Sequence, residues 1–447
     1  MIEYLSPVDL EKYFYPDPMR SAINSLENLY QDPHKIKIYL YPDAMFKPNG
    51  VPNGLTLKSY YEDTLLVPTI LRDPGCGFLS FTLHLQNSID PDWYLKIGPQ
   101  LDQLLNKTDK IHLDITKKLF EKISIEDILY FGLSALDLPN TNKFANLSFT
   151  VDKNIVKPTH QELQVLKEDL FTLTNTVEIR KPLEILNKSL FHQYQLDLND
   201  YFCFIHSGGH KFPMLLEDRY MTKICDYAYH HKIASLDMIH KGIFGIPVTS
   251  ELGQEYYEWI KAAMNYALVS RYGIFYIVKD FLENALSADI SMMNDRLHAG
   301  VLEEKENSKR IIKSSRGVQE IAKSNVENNQ AIGVLAGNRE TMAVLVASGD
   351  AVSQQGAMFS HGTNCQIIND FNYNNKFSNE DMQRILNLAK SAYYNTEPKF
   401  NDCIPLTFNL IAALDYFKAS KLLKPVLSLS PLINIYGDVM KRVHKLI

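Results

Sequence analysis

An aspartate and a cysteine three residues apart, Asp73 and Cys76, sit in the turn Asp73-Pro74-Gly75-Cys76-Gly77. A carboxylate is a hard donor and a thiolate a soft one. Together they suit manganese, iron or zinc better than magnesium or calcium. The proline and two glycines let the backbone turn tightly and approach a ligand closely. Two ligands do not complete a site, and a loop carrying a buried cysteine is the plain alternative. Three histidines have a related setting. His206 in Ile205-His206-Ser207-Gly208-Gly209-His210-Lys211 and His361 in Phe359-Ser360-His361-Gly362-Thr363-Asn364 each end an apolar run before a glycine turn. His192 follows Leu190-Phe191 in a β-like run. A histidine taken singly is more often a hydrogen-bonded structural residue than a ligand.

The elements that must position these residues are legible in outline. Apolar runs flank the Asp73 turn, from Thr64 to Leu71 and from Phe78 to Leu85. Ile36, Ile38 and Leu40 alternate with polar neighbours, as a strand does. The stretch Pro42 to Gly54, with three prolines and two glycines, reads as a structured loop. Asp17-Pro18 opens a helix through Leu29. Helical spacing recurs at Leu101–Leu105 and Gln161–Leu173. The longest helical pattern covers about 250–286, with Gly273 a point where it could break or bend. Residues 305–325 are charged and read as a solvated hinge or lid. Ser378 and Asp381 make a capping box. The tail from Leu422 to Ile435 is apolar and docked. No internal repeat or low-complexity linker divides residues 1–447, so a single α+β domain is expected, with packed mixed sheets surrounded by helices.

Composition excludes some classes. Of 447 residues, 45% are hydrophobic and 22% charged, ordinary for a soluble globular chain. The formal net charge of −6 gives no global basic field, so any polyanion site must be local. No apolar run approaches the roughly 18 residues of a membrane span. The five cysteines (Cys76, Cys203, Cys225, Cys365 and Cys403) show no paired spacing, and no signal peptide precedes them. A reducing, cytoplasmic setting is expected.

In order, these stretches resemble the RtcB family of GTP- and manganese-dependent RNA ligases. Pro42-Asp43-Ala44-Met45 with Gly50-Val51-Pro52-Asn53-Gly54 echoes the family's P-D-x-H loop and G-x-P-x-G. Asp73 to Gly77 match D-x-G-C-G, and His206-Ser207-Gly208 match the start of H-S-G-S-R-G. His192 is taken for the histidine of G-N-H-F. Asn265-Tyr266-Ala267 and Ser270-Arg271 echo N-Y-A-x-x-N-R. Ser360-His361-Gly362 answer S-H-G-A-G-R, and Pro431 to Gly437 answer P-L-x-x-I-K-G. The resemblance implies joining of an RNA 3′-phosphate or 2′,3′-cyclic phosphate to a 5′-hydroxyl. It implies manganese, with zinc and iron as alternatives, on Asp73, Cys76, His192 and His206. It implies His361 as the nucleophile that takes GMP from GTP, oriented by Asp43. Ser207, Arg339 and Tyr436 fall at nucleotide positions, and Lys47, Lys211, Arg271, Arg316 and Arg339 would line a phosphate path.

The chain also departs from the family. The histidine of D-V-x-H-N falls at Met293 when that segment is matched to Asp289–Asn294. Met45, Asn364, Cys365 and Tyr436 replace family residues around the nucleotide, and Phe191 replaces the asparagine of G-N-H. Three classes follow: a working divergent RNA ligase; a repurposed relative with a retained metal site and an altered or lost GTP pocket, acting on another substrate or as a non-catalytic binding protein; and a metal-free buried hydrogen-bond network.

Overall fold

Short runs of alternating or continuous apolar residues become strands, and the long apolar pattern near the middle becomes one helix. The computed structural model describes residues 2–5, 15–30, 32–42, 44, 50–86, 90–106, 123–136, 148–320, 332–350, 358–360, 362, 376–438 and 440–441. The chain begins with β1 (Ile2–Tyr4), α1 (Asp17–Asn28), β2 (Ile36–Leu40), β3 (Leu55–Tyr60) and β4 (Gly77–Leu85). Helices α2 (Trp93–Asn106), α3 (Ile125–Phe131) and α4 (His160–Asp169) follow. The middle holds β5 (Thr176–Ile185), α5 (Lys188–Gln193), β6 (Tyr201–Ser207), α6 (Lys211–His230) and α7 (Glu251–Leu286). Then come β7 (Ala288–Leu297), β8 (Ala299–Glu306), β9 (Lys309–Arg316), β10 (Val318–Glu320), β11 (Ile332–Ala336), β12 (Ala343–Ser348) and β13 (Met358–Ser360). Helices α8 (Asn379–Lys390) and α9 (Cys403–Ala419) precede the last long strand, β14 (Leu423–Tyr436). The fold is α+β.

Two sheets carry the architecture. One runs β1-β2-β3-β9-β8, and the larger runs β11-β12-β14-β5-β6-β4-β7. Every pairing along these two paths is antiparallel except β1 with β2. In β12 the period-two alternation of a strand divides its side chains between two cores. Val344 and Val346 enter one, Ala343, Leu345 and Ala347 the other.

Helix α7 packs across β4, β6 and β7. Ser250 caps it by accepting from the Gly253 amide. Residues 262–275 are buried on every side, as expected where apolar residues surround a helix. The helix does not break at Gly273, because that glycine makes room for the Phe171 ring. The charged stretch at 305–325 is not a hinge over its described part. Residues up to Arg316 form the β8–β9 hairpin, exposed at its tip through Arg310 and buried from Ile311 to Ser315. The run around His192 is likewise not a strand: Asn187 caps the short helix α5 there. The capping box at Ser378 and Asp381 forms as expected. No helix among the described residues is long and apolar enough to cross a membrane.

Candidate metal centre

The Asp73–Gly77 turn feeds directly into β4, which pairs with β6 on one side and β7 on the other. Register sets Gly77 opposite Ser207 and, on the other side, opposite Leu297. The turn, the end of β6 and the end of β7 therefore meet at one edge. Gly75 takes φ +91°, and a Cβ there would meet Ala267 Cβ at 2.7 Å and Met264 Cα at 2.8 Å. Only glycine lets the turn lie that close to α7.

A single arginine joins the three segments. Arg271 reaches from α7, fully buried, and its Nη1 donates to the carbonyls of Gly75 (2.8 Å) and Ser207 (2.9 Å). Its Nε and Nη2 donate to the Asp295 carboxylate of β7 at 3.0 and 2.8 Å. Arg271 is thus a clamp behind the turn and not part of a phosphate path. Asn265 is structural as well. Its Nδ2 donates to the Leu129 and Phe149 carbonyls, and its Oδ1 accepts from the Phe149 amide.

Three donor atoms converge in front of this clamp. Cys76 Sγ lies 3.4 Å from His206 Nε2, and His206 Nε2 lies 2.9 Å from His298 Nε2. All three lie within 4.8 Å of one another. Sulfur and imidazole donors on a tetrahedral ion stand about 3.3–3.6 Å apart, close to the thiol–imidazole separation here. The Phe78 ring walls one side, 4.3 Å from the His206 ring centroid and 5.5 Å from that of His298. One thiol and two imidazoles suit zinc or iron, and a neighbouring carboxylate such as Asp73 is the donor type that manganese favours. Three protein donors also leave a fourth position for water or a substrate oxygen.

Asp73 borders the cluster. Its Oδ1 accepts from the Gly209 amide at 3.4 Å. Burial pushes its carboxyl up, against the opposing pull of that amide and of the Cys76 thiol. Burial, with Asp73 alongside, pushes the Cys76 thiol well above its ordinary value. Burial is the leading cause of both shifts, and a cation bound there would oppose it by favouring the charged forms. Gly208 makes the space: a Cβ there would lie 2.6 and 2.7 Å from the Asp73 carboxylate oxygens. Gly208→Ala is therefore expected to push Asp73 aside and weaken metal affinity by about tenfold or more. Equilibrium dialysis against zinc or manganese would measure this, with the circular dichroism spectrum unchanged.

The expected site residues divide. Asp73, Cys76 and His206 come together. His192 does not: it is exposed on α5, with its ring edge-on to Phe191. The segment beside the thiol is Asn175-Thr176-Val177 instead. Asn175 Nδ2 contacts Cys76 Sγ at 3.5 Å, and Thr176 stands opposite His206 in the β5–β6 register. Met293 also yields its place. His298, one residue past β7, donates its amide to the Cys76 carbonyl at 2.9 Å and carries the third ligand atom. Sequence reasoning missed His298 because the D-V-x-H-N segment was matched to Asp289–Asn294, whereas Asp295-Arg296-Leu297-His298 has the same aspartate-to-histidine spacing. His298 is also the single histidine between His240 and His361, a second available signal.

The residues expected at nucleotide positions are partnered within the chain. Ser207 is fully buried, and its hydroxyl pairs with Thr174 Oγ1 at 3.1 Å. Arg339 is buried, donates to Glu340 (2.6 Å), Thr396 and the Glu397 carbonyl, and lies 4.5 Å over the Tyr436 ring. Arg316, beside Asp73, donates to the Thr69 carbonyl at 2.9 Å, and burial pushes its guanidinium down to about 10. Lys211 begins α6, its amide donating to Asp169. Asp43, Met45, Lys47, His361, Asn364 and Cys365 lie outside the described residues. The chain neighbours of His361 are placed, however. Ser360 pairs with Val318, whose amide donates to the His298 carbonyl, and Gly362 bridges Ala336.

A family model described as tRNA-splicing ligase RtcB matches residues 175–437, more than half of the chain. No curated protein matches it. The match covers His206, His298 and Tyr436 and leaves out the Asp73 turn, which β4 pairing joins to His206 and His298. On that match the chain belongs to the RtcB family of tRNA-splicing ligases.

Proposed function

We propose that this chain is a divergent metal-dependent RNA ligase that joins an RNA 3′-phosphate or 2′,3′-cyclic phosphate to a 5′-hydroxyl. The observation that carries the reading is the thiol–imidazole–imidazole cluster of Cys76, His206 and His298 at the end of the strands that hold the Asp73 turn. These three residues would hold one cation, with Asp73 beside it. A bound manganese ion, with zinc or iron as alternatives, supplies Lewis-acid polarisation of phosphoryl oxygens. Arg316 adds positive charge on the Asp73 side. His361 would attack the α-phosphorus of GTP through a ring nitrogen, forming a nitrogen–phosphorus bond as pyrophosphate leaves. The RNA 3′-phosphate would then take the GMP from His361, and the 5′-hydroxyl would displace it. Asp43 would orient His361.

A second reading is supported by two observations. Threonine stands at position 176, opposite His206, while His192, expected as the further imidazole ligand, is exposed on α5. The Arg339 guanidinium is spent on Glu340, Thr396, Glu397 and the face of Tyr436. Both favour a relative that keeps one metal and has altered its nucleotide pocket. Incubation with labelled GTP and manganese, followed by a denaturing gel, separates the two. Ligase activity predicts a covalent, acid-labile label that His361→Ala abolishes. Metal bound stoichiometrically with no label leaves the second reading standing.

A further inference from the structure

The Asp73 turn has a second, basic side. Arg72 directly precedes Asp73, and its Nε donates to Glu217 of α6 at 2.7 Å, with the two side chains 50% and 35% exposed. Arg316 ends β9. Register sets it opposite Ala299, whose carbonyl accepts from the Gly75 amide at 2.9 Å, so Arg316 stands at the same edge as the turn and His298. Its Nη1 donates to the carbonyl of Thr69, three residues before Arg72, at 2.9 Å. Burial and then the charge of Arg72 push the Arg316 guanidinium down, while Asp73 and Glu217 pull the other way. The two arginines are therefore near enough to repel each other, with Asp73 and Glu217 beside them.

Most of their donors are unspent. A guanidinium carries five N–H groups. Arg316 commits Nη1 and Arg72 commits Nε, and the other nitrogens of both donate to nothing among the described residues. None of those nitrogens is sealed from solvent. Arg316 is half-buried yet forms no ion pair among the described residues, whereas a cation taken out of water is ordinarily paired. Arg271 and Arg339, by contrast, direct their donors to partners inside the chain.

Charge and shape select the ligand. Planar guanidiniums with free edges suit an oxyanion, which each can take through two parallel bonds. With the neighbouring cluster empty, Asp73 and Glu217 balance the two arginines. A cation on the cluster would draw the Asp73 charge to itself and leave two guanidiniums against Glu217 alone. An arriving anion then has one half-exposed, weak ion pair to displace. A phosphate monoester, with a charge of about −1.5 to −2 at neutral pH, matches two guanidiniums better than the single charge of a phosphodiester. We propose that Arg72 and Arg316 form a clamp for the terminal phosphate of an RNA 3′ end, and that Glu217 holds Arg72 until that phosphate arrives. The clamp rests on the ligase reading for the identity of the anion's carrier. Neither Arg72 nor Glu217 falls in the motifs that carry the family resemblance.

The test uses the full chain as purified. It is titrated at low salt with a fluorescent RNA pentanucleotide ending in a 3′-phosphate or a 3′-hydroxyl, with anisotropy read and metal content measured on the same samples. The wild type is expected to prefer the 3′-phosphate by about tenfold or more. Arg316→Gln and Arg72→Gln should each remove most of that preference at unchanged metal content. Glu217→Gln should tighten binding of the 3′-phosphate RNA by about threefold, because Arg72 is then released, a gain that misfolding does not produce. No saturable binding of the 3′-phosphate RNA, or equal affinity for the two ends in the wild type, overturns the proposal. So does a preference that survives in either arginine variant, one lost only in step with metal, or a Glu217→Gln variant that binds no more tightly than wild type. The labelled-GTP experiment is read separately: preference without label leaves the clamp standing and removes the ligase chemistry, and label without preference removes the clamp alone.

Discussion

Cys76→Ala is expected to leave the purified protein with essentially no bound transition metal, against about one ion per chain in the wild type. The thiol is the sulfur donor among three ligand atoms, and its loss leaves two imidazoles 2.9 Å apart with no soft partner. Removing groups that only support ligands already costs about 10–100-fold in affinity, so removing a ligand should exceed about a hundredfold. His298→Ala should act in the same direction, because His298 presents its ring to His206 and its amide to the Cys76 carbonyl. His192→Ala should change nothing, since that ring is exposed on α5. Elemental analysis of the three variants decides the matter. Metal retained by Cys76→Ala, or lost from His192→Ala, would contradict the ligand set. A wild type free of metal after loading with manganese, zinc and iron would make the cluster a hydrogen-bond network alone.

The second large effect concerns stability. Asp295→Ala leaves the Arg271 guanidinium fully buried with its carboxylate removed. Breaking a buried pair from one side costs about 3–5 kcal/mol, a large share of the total stability of a folded chain. Chemical denaturation should show a marked fall in the unfolding midpoint. Metal affinity should fall with it, because Arg271 also holds the carbonyls of Gly75 and Ser207 on either side of the site. The double variant Arg271→Met, Asp295→Leu should recover part of the stability, since no charge is then stranded. It should not recover metal affinity, because the two carbonyls lose their shared donor. A double variant that binds metal like the wild type would show that the clamp does not position the turn.

How much could be read without the fold follows from where each signal resides. The Asp73 turn and the His206-Ser207-Gly208 segment were readable because glycine and proline mark a required backbone shape over a few adjacent residues. The capping box at Ser378 and Asp381 was readable for the same reason, being set within one helical turn. His192 misled because a histidine after two apolar residues fits a strand or a short helix equally well, and Asn187 tips it to a helix. The charged stretch around residue 305 misled because a hairpin tip that projects into solvent exposes a continuous polar and charged run, Lys305 to Arg310, while its strands stay paired.

The sequence by itself determined the family resemblance, the α+β class and two of the three converging donors, since those depend on short contiguous patterns and on apolar periodicity. Tertiary structure alone decided that His298 completes the cluster, that Asn175 and not His192 stands beside the thiol, and that Arg271 is buried as a clamp. Those facts depend on which strands pair and in what register. Register is fixed by packing of whole faces against the core, a sum over many distant residues that no local stretch of sequence contains.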